Sequence, residues 1–103
     1  MLFRLCTVAV VDRQVIGFIA RELGMIHALY VVPEWCGHGV GQRLLQAAKQ
    51  ASQELELYTF QANASAQRFY LREGFGEVTR SDGAGNDEGL PDIKYHWSAK
   101  ETP

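Results

Sequence analysis

The stretch "VVPEWCGHGVGQRLLQAAKQ" (Val31 to Gln50) decides the fold, because a strand end, a glycine turn and a helix follow one another within it. Gly37, Gly39 and Gly41 stand at alternate positions, and glycine lets a backbone turn sharply or approach a ligand closely. Pro33 ends the preceding strand, since proline cannot donate to a strand ladder. The free amides at the start of the helix are suited to a phosphate or pyrophosphate.

Other glycine motifs fit this turn less well. A P-loop needs Gly-Lys-Ser/Thr, whereas Gly41 is followed by Gln42 and Arg43. The dinucleotide-binding fingerprint needs G-x-G-x-x-G, whereas the spacing here is G-x-G-x-G. A turn in which the glycines only permit left-handed backbone geometry stays as the alternative to anion binding.

The composition predicts one soluble globular domain over residues 1–103, with 47% hydrophobic and 21% charged residues. A net charge of -2 gives no reason to expect nucleic acid or an anionic membrane as a partner. We find no apolar run long enough to span a bilayer and no signal peptide. Cys6 and Cys36 lie in unlike contexts that fit neither a disulfide framework nor a zinc site. We therefore expect a reduced, cytoplasmic protein without a metal site.

Three segments rich in β-branched and apolar residues precede the glycine turn, with short turns around Asp12–Gln14 and Leu23–Gly24. Strands joined by tight turns form an antiparallel meander. The predicted strands are Leu2–Asp12, Val15–Glu22 and Met25–Val32.

Beyond the turn, the apolar period becomes helical and predicts an amphipathic helix of about four turns. Its apolar positions are Val40, Leu44, Ala47, Ala48, Ala51 and Leu55. The segment Leu55–Gln61 predicts a fourth strand. A strand, a helix and a strand in this order imply a right-handed β-α-β crossover, with the third and fourth strands parallel.

The segment "NASAQRFYLREGF" predicts a second helix, capped by Asn63 or Ser65 and ended at Gly74. Phe75–Arg80 and Ile93–Ser98 would then pair as a C-terminal hairpin around a polar, glycine-rich loop. The predicted fold class is therefore α+β, with a mixed sheet and at least two helices.

Two of these segments resemble the core motifs of the GNAT superfamily of acyl-CoA-dependent N-acyltransferases. The first motif, Q/R-x-x-G-x-G/A, is matched by Gly39 and Gly41, while Cys36 occupies its Gln/Arg position. The tail "RSDGAGNDEGLPDIKYHW" is similar to that of one bacterial branch. The second motif, N-x-x-A-x-x-F-Y-x-x-x-G-F, is matched in full by Asn63, Ala66, Phe69, Tyr70, Gly74 and Phe75.

The resemblance implies that acetyl-CoA is the cofactor. Tyr70 would be the general acid for the departing thiolate, with Asn63 and Phe69 along the pantetheine arm. The backbone of the third strand would hold the acyl group and pantetheine at Leu29, Tyr30, Val31 and Val32. The remaining cofactor contacts implied are Cys36, Gly37, His38, Gly39, Val40, Gly41 and Gln42 around the pyrophosphate, and Ala66 in the second motif.

The base for the incoming amine is less sharply defined by the sequence. His27 shares a face with Leu29 and Val31 by strand parity, and its ordinary pKa suits proton removal near neutrality. Glu22, Glu34 and a water relay are alternatives, and a histidine on a strand also serves packing.

Two further features bear on binding. Cysteine at position 36 cannot replace a polar or cationic pyrophosphate contact, so we expect weaker coenzyme A affinity unless His38 or Arg43 compensates. The last hairpin loop carries acidic residues that would attract a cationic amine, or would only keep the loop solvated. These residues are Asp82, Asp87, Glu88 and Asp92.

The predicted activity is transfer of an acetyl group from acetyl-CoA to a primary amine of a small molecule or peptide, by direct attack in a ternary complex. The alternative is a non-catalytic module that binds coenzyme A or dimerises. The resemblance begins at the family's second strand, without the preceding strand and two helices. We therefore expect a fragment, or a short form completed by a partner or as a homodimer.

Overall fold

The described residues, 5–85 and 88–101 of a computed structural model, divide into two units, Met1–Leu55 and Glu56–Pro103. The first unit contains three strands, a glycine turn and a helix. The second contains most of a fourth strand, a second helix and a hairpin. The expectation of one domain over the whole chain stays a prediction.

The first unit begins with an antiparallel meander of three strands, which confirms the prediction. Two-residue turns join them, and Asp12, Arg13 and Leu23 adopt positive φ angles of 50°, 66° and 56°. Such turns match the right-handed twist of the strands they connect. Positions 2–4 of the predicted first strand lie outside the described residues. The strands are β1 Leu5–Val11, β2 Gln14–Glu22 and β3 Met25–Val31.

A 3₁₀ turn at Pro33–Trp35 follows β3, and helix α1, Val40–Ala51, follows the glycine turn. The helix packs on the β1–β3 meander. It buries Leu44, Leu45 and Ala48. Burial of these apolar side chains provides the main driving force for docking the helix.

Helix α1 is shorter than the spacing of apolar residues predicts. Ser52 has extended backbone angles, φ -142° and ψ 148°, and ends the helix. Leu55 is fully buried instead as part of strand β4, Glu54–Phe60. The predicted fourth strand, which began at Leu55, is confirmed, whereas the helical spacing extended too far because Leu55 fits both patterns.

The second unit places β6 between β4 and β5, with β5 and β6 antiparallel. Helix α2 is Ala64–Arg72, β5 is Gly76–Ser81 and β6 is Asp92–Ser98. A 3₁₀ turn at Ala99–Glu101 follows. The predicted second helix and hairpin are confirmed. The core of this unit contains Leu57, Tyr70, Phe75, Ile93 and Tyr95, each at most 8% exposed.

Within the described residues the chain has six strands and two α-helices, and its α+β class is confirmed. The strand order and the antiparallel pairs agree with the predicted meander and hairpin. The right-handed crossover and the parallel pairing of the third and fourth strands stay predictions.

Candidate functional site

The glycine turn before α1 has the left-handed geometry that its sequence suggests. Gly37 and Gly39 have φ angles of 84° and 80°, a region that side chains other than glycine rarely adopt. A Cβ added at either position would meet nothing within 4 Å. The backbone conformation therefore favours glycine at both positions, and the space beside both residues is open to a ligand.

The start of α1 leaves a run of backbone donors unused. Its N-cap is Gly39, which has no side chain to cap the helix, and the first helical bond runs from the Arg43 amide to the Gly39 oxygen at 3.1 Å. A phosphate group suits such a cradle because it accepts several N–H bonds near the positive end of the helix dipole. Within residues 5–85 and 88–101, no hydrogen-bond partner exists for the amides of Gly37, Gly39, Val40, Gly41 and Gln42.

Cys36 and His38 stabilise the shape of the turn. The Cys36 Sγ lies 3.7 Å and 3.6 Å from the carbonyl oxygens of Val31 and Val32. The His38 Nδ1 lies 3.2 Å from the Cys36 carbonyl oxygen, and its ring packs against Trp35 with centroids 5.2 Å apart. The thiol therefore contacts the end of β3, and the two side chains do not form a thiol–imidazole pair.

The end of β3, where the resemblance implies contacts with the acyl group and pantetheine, pairs with β2. Leu29, Tyr30 and Val31 lie opposite Ile19, Phe18 and Gly17. The Val32 amide donates to the Ile16 oxygen at 2.8 Å, so this N–H is already engaged. The Val32 carbonyl is engaged as well, because it accepts from the Trp35 amide at 2.9 Å.

His27 lies at an irregularity in the ladder between β2 and β3. Ala28 and Ile26 oppose Ala20 and Arg21, so His27 is the extra residue of a bulge. A bulge re-aims side chains and breaks the alternation on which the parity argument rests. The His27 Nε2 lies 3.3 Å from Oε1 of Glu22, and the two side chains are 39% and 16% exposed. The structure thus brings two of the candidate bases together.

Asn63 caps helix α2 with its side-chain oxygen. Its Oδ1 accepts from the Ala66 amide at 3.1 Å and from the Ser65 hydroxyl at 3.3 Å. Ser65 therefore supports the cap, and Asn63 is the N-cap residue. The Asn63 Nδ2 has no hydrogen-bond partner in the described part of the chain, which leaves two donors for a ligand.

Tyr70 is buried in an aromatic cluster on the inner face of α2. It is 8% exposed, and its ring centroid lies 5.1 Å from Phe69, 5.5 Å from Phe75 and 6.5 Å from Tyr95. Burial raises the pKa of Tyr70 to about 12. Its hydroxyl has no hydrogen-bond partner among the described residues, so the phenol is neutral near pH 7 and its proton is uncommitted.

The acidic residues of the last hairpin loop differ in their surroundings. The Asp82 Oδ1 accepts from the Ala84 amide at 2.9 Å, and the Asp92 Oδ1 accepts from the Ser81 hydroxyl at 2.7 Å. Glu88 is exposed, and Asp87 lies outside the described residues. Asp82 and Asp92 thus contribute to the structure of the loop, and an electrostatic role toward an amine stays a prediction.

Sequence reasoning missed two glutamines, Gln61 and Gln67. Each side-chain amide donates to two backbone carbonyls, at distances of 2.8 to 3.2 Å. Glutamine carries no motif of its own, and the acceptors lie up to 31 residues away in sequence. The only signal was position, because Gln61 directly follows β4 and Gln67 lies on α2 one turn before Tyr70.

In the described part of the chain, no group of three or more metal-ligating side chains could hold an ion. None of the helices there is long and apolar enough to cross a membrane.

The chain belongs to the GNAT acetyltransferase family, whose domain matches residues 3–77. This match includes the glycine turn and α2. The resemblance predicted from the two motifs is thereby confirmed.

Two curated relatives are N-acetyltransferases. The chain is 32% identical to the peptidyl-lysine N-acetyltransferase YiaC of Escherichia coli, over 88% of this chain and 62% of that protein. It is 30% identical to an uncharacterized N-acetyltransferase of Archaeoglobus fulgidus, over 78% of this chain and 65% of that protein. The chain thus spans less than two thirds of the length of each.

Solved structures share the fold. Apo YjaB from Escherichia coli superposes with a TM-score of 0.80 and 29% identity, over 89% of this chain and 63% of that one. A Bacillus anthracis protein of the streptothricin acetyltransferase type, solved with acetyl coenzyme A, superposes with a TM-score of 0.83. Its identity is 24%, over 92% of this chain and 62% of that one, so this second likeness concerns the fold.

Proposed function

We propose that the protein is an N-acetyltransferase that moves an acetyl group from acetyl-CoA to a primary amine, by direct attack in a ternary complex. The observation that carries this proposal is the run of unpaired amides at the glycine start of α1, in a chain of the GNAT family. Additional support comes from the Bacillus anthracis neighbour, which was solved with acetyl coenzyme A.

The proposed cofactor contacts divide between the units. In the first unit, the open amides of Gly37 and of Gly39 to Gln42 would bind the pyrophosphate, with the backbone from Leu29 to Val32 along the acyl group and pantetheine. In the second unit, the free Asn63 Nδ2 would donate to the pantetheine, and Ala66 and Phe69 would line it. The amides of Gly37 and of Gly39 to Gln42 and the Asn63 Nδ2 have no partner among the described residues, whereas the Val32 amide is engaged.

Acetyl-CoA supplies a thioester with an electrophilic carbonyl and a thiolate leaving group. In the proposed reaction the amine nitrogen bonds to the carbonyl carbon, the carbon–sulfur bond breaks, and sulfur takes its electron pair. Tyr70 donates its phenolic proton to that sulfur. Its raised pKa keeps the proton available at neutral pH, although it also makes the phenol a weaker acid than an exposed tyrosine.

The amine must lose a proton to complete the reaction, and we propose His27 as the base. Its Nε2 lies 3.3 Å from Oε1 of Glu22, so the carboxylate holds the imidazole ring in position. The 39% exposure of the His27 side chain lets a proton pass on to water. Glu34, which is exposed on the 3₁₀ turn, is the rival.

For the acceptor we propose a lysine side chain of a peptide, because one relative is a peptidyl-lysine N-acetyltransferase. The proposed location is the cytoplasm. Cys6 and Cys36 are free and exposed, as is usual in a reducing compartment.

A second candidate function is coenzyme A binding without catalysis. Cys36 favours it, because its thiol contacts the end of β3 and adds no polar or cationic group at the motif's Gln/Arg position. The two functions share the glycine turn, so binding alone does not separate them.

Calorimetric titration with acetyl-CoA and with acetyl-pantetheine, which lacks the pyrophosphate, tests the binding half. We expect acetyl-CoA to bind at least tenfold more tightly, a difference of about 1.4 kcal/mol. Equal or absent binding of both would mean that the glycine turn holds no phosphate.

Release of free thiol from acetyl-CoA, in the presence of a short peptide with one internal lysine, tests the catalytic half. Mass spectrometry should find the peptide heavier by one acetyl group. Tight acetyl-CoA binding without turnover on the lysine peptide or a panel of small primary amines would favour the non-catalytic module.

A further inference from the structure

The second unit contains a hydrogen-bonded bridge that no motif predicts, built from the amides of Gln61 and Gln67. The Gln67 Nε2 donates to the carbonyl oxygens of Phe60 at 3.2 Å and Gln61 at 2.8 Å. Phe60 ends β4 and Gln61 follows it, so Gln67 ties helix α2 to the end of β4. The amide group of Gln67 has two N–H donors, and both are used.

Gln61 extends the bridge to the hairpin. Its backbone amide donates to the Pro91 oxygen at 2.8 Å. Its Nε2 donates to the oxygens of Ser81 at 3.0 Å and Asp92 at 3.2 Å. Ser81 ends β5 and Asp92 begins β6, and they are partners in the ladder. Gln61 therefore holds both strands at the base of the hairpin loop.

The loop itself is organised around the same base. The Ser81 hydroxyl donates to Asp92 at 2.7 Å and accepts from the Gly83 amide at 3.1 Å. A Cβ on Gly83 would clash with the Leu90 carbonyl, so the two ends of the loop approach closely. A displacement of the Gln61 side chain would consequently shift both ends of the loop, at Ser81 and at Asp92.

Tyr70 lies three residues after Gln67 on α2, which is one turn along the helix and on a neighbouring part of its surface. Its ring packs against Tyr95 of β6. The position of the Tyr70 hydroxyl thus depends on how the start of α2 is held against β4 and the hairpin. Misplacement of a reacting group by about 1 Å can cost as much as 100-fold in rate.

We propose that Gln61 and Gln67 are positioning residues, whose amides fix helix α2 and Tyr70 relative to the end of β4 and the base of the β5–β6 loop. This role rests on the proposed function, because it assigns Tyr70 a place in the reaction. The bridge couples the residue that protonates the leaving group to the loop that carries Asp82, Glu88 and Asp92.

The kinetic test uses the full chain with Gln67→Glu and Gln67→Met. Glutamate keeps the shape but replaces two donors with a carboxylate that faces two carbonyls, whereas methionine removes the donors without adding charge. Gln53→Glu is the matched control, because Gln53 is exposed and its side chain makes no hydrogen bond within the described residues. Thiol release from acetyl-CoA is measured with the lysine peptide as acceptor.

We expect Gln67→Glu to lower kcat by about tenfold while KM for acetyl-CoA changes less than about threefold, since only the acid is displaced. The kcat of Gln67→Met should lie between those of Gln67→Glu and the wild type, and the kcat of Gln53→Glu should match the wild type. The Gln61→Glu and Gln67→Glu double variant should lose little more than the worse single variant, because both side chains act in one bridge. Full kcat in both Gln67 variants, or simple multiplication of the losses, would overturn the proposal.

A second measurement does not depend on turnover. In nuclear magnetic resonance spectra of the same variants, Gln67→Glu should shift both the Tyr70 ring signals and the Gly83 amide signal, whereas Gln53→Glu should shift neither. If the wild type binds or transfers nothing but these shifts occur, the bridge exists and the proposed function fails. An unchanged Gly83 signal in Gln67→Glu would show that helix α2 is not coupled to the β5–β6 loop.

Discussion

The starts of the two helices are built in opposite ways. Helix α1 begins at Gly39, which lies in the left-handed region at φ 80° and offers no side-chain cap. Helix α2 begins at Asn63, whose side-chain oxygen accepts from the Ala66 amide at 3.1 Å. The Ala64 amide at the start of α2 also donates to the Ala62 oxygen at 3.2 Å, whereas the first amides of α1 have no partner among the described residues.

This difference separates two kinds of recognition. Amides without a partner can bind an anion without first breaking an internal bond, so the start of α1 would suit the proposed phosphate. The capped start of α2 instead stabilises the helix that carries Tyr70. The side chain of Tyr70 lies in an aromatic cluster with Phe69 and Phe75. The first helix would bind through its backbone and the second would act through its side chains.

The largest expected effect tests the side-chain half of the comparison. Tyr70→Phe removes the proposed acid and keeps the ring packing, so kcat should fall by about 100-fold. The affinity for acetyl-CoA measured by calorimetry should change much less, because the pyrophosphate contacts lie on α1. A variant that keeps more than half of the wild-type kcat would remove Tyr70 from the mechanism.

The burial of Tyr70 predicts how stability depends on pH. Its folded pKa of about 12 lies above the ordinary value of 10.0, so folding favours the neutral phenol. The resulting stability is fully present below pH 10 and is lost as the pH rises to about 12, by roughly 2–3 kcal/mol. Urea unfolding at a series of pH values should show this slope.

Tyr70→Phe is also the control for that slope. Most of the decline above pH 10 should disappear in this variant, and a smaller part should stay because burial also raises the pKa of Tyr95. An identical decline in the wild type and Tyr70→Phe would show that other groups cause it.

The backbone half of the comparison is tested by Gly39→Ala. A Cβ in the left-handed region should lower the free energy of unfolding by about 1 kcal/mol. If the backbone relaxes, the cradle is lost and acetyl-CoA affinity should fall about tenfold while acetyl-pantetheine affinity is unchanged. Gly85→Ala is the matched control, since a Cβ there meets nothing within 4 Å and its φ is not in the left-handed range. Equal effects of the two substitutions would count against a special role for Gly39.

The smallest effect separates the two roles of Asn63. Asn63→Ala removes the cap and should cost about 1 kcal/mol in thermal or urea unfolding. Asn63→Asp keeps an oxygen acceptor for the Ala66 amide but removes the Nδ2 donors. Its stability should therefore match the wild type while acetyl-CoA affinity falls about threefold, a proposal that depends on the free Nδ2. Unchanged affinity in Asn63→Asp would leave Asn63 with the cap alone.

Much of the fold could be predicted because its signals are local. Alternation and turn residues predicted the meander, and the Asn63 cap and the glycine at position 74 predicted the extent of α2. The predicted helix α1 was too long. The apolar spacing continues to Leu55, whereas the helix ends at Ala51. Periodicity alone cannot distinguish a last helical turn from the first buried residue of a strand.

The candidate site was less accessible to such reasoning. His27 lies at a bulge in the pairing between β2 and β3, so the alternation of the strand alone does not decide which face its side chain takes. The sequence showed that Cys36 replaces the Gln/Arg of the motif. It did not show that the thiol contacts the carbonyls of Val31 and Val32. The sequence suggested that Tyr70 is an acid. The pKa of Tyr70, however, depends on its burial, to which Tyr95 of β6 contributes.

The sequence by itself determined the class of fold, the family and the glycine turn, because these depend on short-range periodicity and on conformations open mainly to glycine. Only the tertiary structure decided how deeply Tyr70 is buried, which amides are free, and how Gln61 joins Phe60, Ser81 and Asp92 into one bridge. Burial and hydrogen bonding join residues that are distant in the chain, and no local pattern records which of them will meet.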